Sequence, residues 1–172
     1  MRSDLGSADQ IEANKFAKIR IIGYGTFLKD AIKSLAAGIR QKVWNENVNI
    51  LGPVKVVNYR RLWPGATSYP VIQKADGFFF FGVLFEIDKR RLARFDQIEG
   101  VPMLYTREKI SVHFEGELIS VFIYVPSEKM LNHVLHEYEL NGKEPGFDDW
   151  ANYLRDKLSS KELDIFPEIF FT

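Results

Sequence analysis

The chain has 172 residues and balances 23 basic against 23 acidic side chains, a formal net charge of zero that argues against a nucleic-acid or anionic-membrane surface. It contains no cysteine, which excludes disulfides, thiolate catalysis and Cys-ligated zinc. With 46% hydrophobic residues, 14 of them Phe among the aromatics, and no run approaching the ~18 apolar residues of a membrane span, it reads as one globular domain with a ring-rich core.

Residues 1–16 are polar, carry acids and lack the pattern of a secretory signal, so they read as a flexible leader, and a cytoplasmic location is the expectation. The domain proper is expected over residues 17–158. Its opening, Ile19-Arg20-Ile21-Ile22, is β-branched and stops at Gly23-Tyr24-Gly25-Thr26-Phe27-Leu28. Strand, glycine turn, helix is an arrangement that aims backbone N–H groups into one concavity, suited to a carboxylate, phosphate or carbonyl oxygen. Gly23 and Gly25 permit positive φ there and leave no Cβ in the way. The same stretch also reads as a plain tight connection, or as the start of a dinucleotide fingerprint. The last demands a third glycine where this chain has Leu28.

Lys29 to Ala37 is helix-compatible, with Ile32, Leu35 and Ala36 on one face and Gly38 as its stop. Gly38 to Ile50 carries no clear period. Leu51 to Leu62 and Val71 to Gln73 read as strands, with a turn expected at Ala75-Asp76-Gly77. Phe78 to Ile87, FFFFGVLFEI, reads as a buried strand, and Asp88 is placed to cap the helix that carries Leu92, Phe95 and Ile98. Leu104 to Phe114 and Leu118 to Val125 read as a strand pair turned at Glu115-Gly116. Ser127 to Leu140 and Asp148 to Leu158 are helical in character. In the tail, residues 159–172, the side chains Leu163, Ile165, Phe166, Ile169, Phe170 and Phe171 are too apolar to leave in water. They are expected on the domain or across a subunit interface, which leaves a homodimer open. The fold class is α+β, one domain built on a mixed β-barrel with flanking helices.

The second informative stretch runs from Arg94 to Arg107. Glu99 falls at the last turn of a predicted helix, just before Gly100. The negative end of the helix dipole, with Val101, Met103 and Leu104 alongside, would raise its pKa towards the range that acid–base work at neutral pH requires. A glutamate in such a place is also an ordinary surface residue. Arg107 reads as either a carboxylate-binding group or half of a structural ion pair, and Tyr105 and Tyr124 as either cavity walls or half-buried strand tyrosines. Asp96 reads as a solvated neighbour. His133, His136 and Glu137 sit close in sequence, but their spacing lacks a third ligand in reach, so no metal is expected.

Taken together, these stretches resemble the γ-glutamylcyclotransferase-like family, including its γ-glutamylamine cyclotransferase and AIG2-like branches. The family's Tyr-Gly-Thr-Leu loop has its counterpart in Tyr24-Gly25-Thr26-Phe27, and its Glu-Gly-x-x-x-x-Tyr-x-Arg segment in Glu99-Gly100, Tyr105 and Arg107. Tyr69-Pro70 and Gly82-Val83-Leu84-Phe85-Glu86-Ile87 match two further pieces. The departures are Phe27 for leucine and Ile98 for an aromatic residue. The resemblance implies a barrel with the glycine loop at the mouth of a cavity. It further implies intramolecular aminolysis of a small γ-glutamyl substrate to 5-oxoproline and a free amine. Glu99 would act as base and then acid, Tyr24, Gly25, Thr26, Phe27, Tyr105 and Arg107 would bind substrate, and no cofactor, nucleic acid or membrane would be needed. A non-catalytic binding domain of the same fold is the alternative.

Overall fold

The computed structural model describes residues 17–39, 42–65 and 68–171; the predicted leader lies outside them. Strand β1 (Lys18–Gly23) runs into helix α1 (Thr26–Ala36), which starts three residues before the sequence pattern suggests. The patternless stretch folds as a small hairpin, β2 (Lys42–Val43) and β3 (Glu46–Asn47), turned by Trp44 and Asn45, both at positive φ. Then come β4 (Asn49–Leu62), β5 (Val71–Asp88), a 3-10 turn (Lys89–Arg91), α2 (Leu92–Ile98), β6 (Tyr105–Phe114) and β7 (Glu117–Pro126). Helices α3 (Glu128–Leu140), α4 (Asp149–Lys157), α5 (Ser160–Leu163) and α6 (Pro167–Phe170) complete the chain.

The main sheet has five strands in the order β4-β5-β1-β7-β6. β1 pairs parallel with β7, and the other pairings are antiparallel. Alternation along the strands buries both faces. Ile22, Val54, Val56, Phe80, Leu84, Val112, Val121 and Ile123 form one core. Ile21, Val83, Phe85 and Ile87 face the other way, onto a core shared with Phe27, Leu28 and Ile32 of α1, Phe95 of α2, Val134 of α3 and Leu154 of α4. The sheet curls around the first core until a side chain at Gly52 of β4 would touch the Phe114 ring of β6 at 3.7 Å. It does not close: β4 and β6 share no ladder, so the expected barrel is corrected to an open, curled sheet filled by side chains between its two edges.

Two local readings also change. Ala75-Asp76-Gly77 is not a turn, because β5 runs through it as a bulge where Gly77 takes φ 83° and its N–H reaches Asn58 Oδ1 at 3.3 Å. Asp88 caps nothing through its side chain; it pairs with Lys18 and Arg90 instead. Ser127 and Asp148 do cap, accepting the N–H groups of Met130 (3.2 Å) and Ala151 (3.1 Å). In the tail, Ile169 and Phe170 are buried in the core beside Trp150 and Leu154, Leu163, Ile165 and Phe166 pack partly against it, and Phe171 remains exposed. No helix among the described residues is long and apolar enough to cross a membrane.

Candidate active site

β1 delivers its last residue, Gly23, to the end of the sheet, and α1 leaves from there. A Cβ on Gly23 would stand 2.3 Å from the Phe27 ring, so glycine is what allows the first turn of α1 to fold back over the strand end. Neither Gly23 nor Gly25 uses the positive φ that glycine permits; at Gly23 the missing Cβ is what matters. Gly25 is the N-cap of α1 and has no capping side chain. The first intrahelical bond runs from Lys29 N–H to Gly25 O at 3.3 Å, so the N–H groups of Thr26 and Phe27 have no acceptor within the helix. They carry the positive end of its dipole.

These groups open on a cavity of about 350 Å³ lined by Tyr24, Gly25, Thr26, Phe27, Glu99, Tyr105 and Tyr124, with Trp44, Tyr69, Pro70 and Leu104 among its other walls. The sequence-predicted Tyr24 loop, Glu99 and Tyr105 thus come together. Leu104, expected beside Glu99, and Ile98 join them, whereas Trp44 has no counterpart in the sequence reading. Trp44 lay in the patternless stretch, and its only local sign is Asp30, whose carboxylate accepts the indole N–H at 2.7 Å.

Glu99 is the C-cap of α2, held by its N–H to Phe95 O (3.0 Å) and by Gly100, at φ 67°, turning the chain away. Its carboxyl is pushed up from 4.5 to about 7, and burial is the cause. No lysine or arginine among the described residues forms an ion pair with it. The three phenols around it send their protons elsewhere: Tyr24 to Tyr124 O (2.6 Å), Tyr105 to Pro70 O (3.1 Å) and Tyr124 to Asp96 Oδ1 (2.7 Å). Burial raises the pKa of all three, and the nearby Glu99 charge raises each further, so they stay neutral and offer lone pairs to whatever enters.

Arg107 does not line the cavity. Its guanidinium binds Asp96 Oδ2 at 2.5 Å and lies over the Phe122 ring, so the ion pair of its two readings is formed. Asp96 is therefore not a solvated neighbour: one oxygen receives Arg107 and the other Tyr124, and it orients a cavity wall. His133 and His136 pair along α3 with Glu137 (3.1 Å) and Glu139 (3.7 Å), and no cluster of potential metal ligands occurs among the described residues.

The fold is similar to that of a γ-glutamyl cyclotransferase, with a TM-score of 0.50 and 16% identity over 88% of this chain and 99% of that one. An AIG2-like protein of Mus musculus gives 0.50 and 18% over 66% and 82%. YkqA of Bacillus subtilis gives 0.52 and 16% over 88% and 58%. At these identities the likeness concerns the fold alone. No match is found among curated proteins. The sequence itself fits the family model "Gamma-glutamyl cyclotransferase, AIG2-like" over residues 21–150, which include the glycine loop, Glu99 and every other residue that lines the cavity. The chain belongs to the γ-glutamyl cyclotransferase, AIG2-like family.

Proposed function

We propose that this protein cleaves γ-glutamyl compounds by intramolecular aminolysis, releasing 5-oxoproline and a free amine. The observation that carries the reading is a half-buried carboxyl, Glu99, raised to about 7, facing the same cavity as the uncapped start of α1. The substrate's α-carboxylate suits the N–H groups of Gly25, Thr26 and Phe27, because no guanidinium or ammonium group lines the cavity among the described residues. Its α-ammonium suits the other side, where Glu99 and the phenol oxygens can only attract a cation or accept a proton from it.

Arrival of that ammonium favours the Glu99 carboxylate, which then takes one proton from it. The neutral amine attacks the γ-carbonyl carbon, forming the ring C–N bond. Collapse of the tetrahedral intermediate breaks the bond to the leaving nitrogen, which receives the proton back from Glu99, and the ring nitrogen passes its second proton to the departing amine, leaving the lactam N–H and an ammonium. Nucleophile and carbonyl belong to one molecule, so holding the chain folded supplies much of the rate. The test is a panel of γ-glutamyl amines and γ-glutamyl amino acids with detection of 5-oxoproline. Release from at least one supports the reading. Binding of 5-oxoproline without turnover of any compound would favour a binding domain, and neither would end the proposal.

A further inference from the structure

Behind the glycine loop, away from the cavity, lies a charged pair that the proposed chemistry does not use. Arg61, near the end of β4, is fully buried. Its Nε and Nη2 donate to Asp148 Oδ1 (3.0 Å) and Oδ2 (2.7 Å), a bidentate pair, while Nη1 donates to Tyr24 O (2.8 Å) and Phe81 O (3.0 Å). Asp148 is at the same time the N-cap of α4, through the Ala151 N–H. A buried ion pair is a poor way to gain stability, since desolvating both charges offsets their attraction, and a well-packed apolar pair often does as well. What an apolar side chain cannot do is hold a carbonyl oxygen in one direction.

The carbonyl in question belongs to the peptide unit that carries the Gly25 N–H. The Tyr24–Gly25 bond is trans, so its C=O and N–H point in opposite directions. With the oxygen fixed on Arg61 in the interior, the N–H is directed away from Arg61, and Gly25 itself lines the cavity. The far end of Tyr24 is fixed as well, by its hydroxyl on Tyr124 O. We infer that Arg61, held by Asp148, is a positioning residue: it sets the orientation of the Tyr24–Gly25 peptide and so presents the Gly25 N–H to the substrate carboxylate. This rests on the aminolysis reading for the identity of the ligand, but not for the orientation itself.

Two variants test it. Arg61→Lys keeps the charge, but one ammonium cannot reach two carboxylate oxygens and two carbonyls together. Arg61→Met combined with Asp148→Ser removes both charges and keeps a good N-cap on α4. Phe170→Leu, in the core far along the chain, serves as a variant that loosens packing without touching the loop. Because 5-oxoproline retains the α-carboxylate, its Kd and the KM for the turned-over γ-glutamyl compound should rise together in both Arg61 variants. The expected rise is about tenfold or more, with kcat changed little. A merely structural role gives the opposite split, as expected for Phe170→Leu: a lower melting temperature and less active protein, with Kd and KM unmoved. Folded Arg61 variants that bind 5-oxoproline like the wild type overturn the inference. If the wild type neither binds 5-oxoproline nor releases it, the aminolysis reading fails, and the Gly25 amide resonance decides the remaining point. A shift of that resonance in both variants supports the positioning role, and an unmoved one refutes it.

Discussion

The start of α1 and the starts of α3, α4 and α5 are built from opposite choices. Ser127, Asp148 and Ser159 each place a side-chain oxygen on an N–H of the first turn, and Ser159 with Glu162 completes a reciprocal capping box. Gly25 places nothing there. The same contrast separates two acids three residues apart on α2 and its cap. Asp96 has both oxygens occupied, by Arg107 and Tyr124, whereas Glu99 is half-buried without a cation. Around the cavity, the first-turn donors of α1 have no side-chain cap and the Glu99 carboxyl has no ion-pair partner among the described residues. The starts of α3, α4 and α5 are capped, while those of α2 and α6 carry no side-chain cap. The buried Arg60 Nε, Arg91 Nε and Trp150 Nε1 have no hydrogen-bond partner among the described residues either. Unmet polar groups cost stability, and what sets the start of α1 and Glu99 apart is that they line one cavity, where a ligand can supply the partner.

The largest effect should come from Glu99→Gln, which keeps the shape and removes the base. Turnover at pH 8 should fall by about 10²–10⁴-fold while 5-oxoproline still binds. Asp96→Asn is not a neutral comparison, because it disturbs Tyr124 and Arg107.

The same variant should sharpen the contrast in stability. Glu99 in the folded protein keeps a proton between about pH 4.5 and 7 that the unfolded chain has already released. Folding is therefore disfavoured progressively as the pH rises through that window, and the loss is complete above it. Urea unfolding should find Glu99→Gln more stable than the wild type at pH 8, by up to about 3 kcal/mol, with the difference fading towards pH 4. Equal stabilities at pH 8 would mean the carboxyl is not buried as described.

Gly25→Val should come next. A Cβ there already meets Pro70 at 3.4 Å, so the two added methyls crowd the loop against the cavity wall. Binding of 5-oxoproline should weaken by about tenfold or more in a folded protein. Smallest is Ser127→Ala, which removes a cap where there is no cavity. About 1 kcal/mol of stability should go, with 5-oxoproline affinity unchanged. A change in affinity there would undo the distinction between the two kinds of helix start.

Most of the elements were legible because their signals are local. The FFFFGVLFEI run, the caps Ser127 and Asp148, and the Gly38 and Gly100 stops are each fixed within a few residues of themselves. The place of Glu99 at the end of α2 was legible for the same reason, and its raised pKa follows from desolvation, the apolar surround that the sequence offered beside the helix dipole. What was hidden depends on residues far apart in the chain. Arg61 and Asp148 are separated by 87 positions, and nothing near either one announces the pair. Asp96 looked solvated because its partners come from β6 and β7. Asp76-Gly77 carries the residues of a turn, yet a bulge uses the same positive φ, and only the pairing with β4 tells them apart. Whether the curled sheet closes depends likewise on an edge-to-edge contact between β4 and β6 that no local pattern encodes.

The central claim is that Glu99 carries the proton from the attacking amine to the leaving one. The most direct measurement is the pH dependence of kcat/KM for 5-oxoproline release by the wild type, using whichever γ-glutamyl compound is turned over. The account predicts a rate that rises with pH and turns over near 7, the midpoint set by the Glu99 carboxyl in the free protein. A rate that is flat from pH 5 to 8, or an acid limb that persists unchanged in Glu99→Gln, would contradict it.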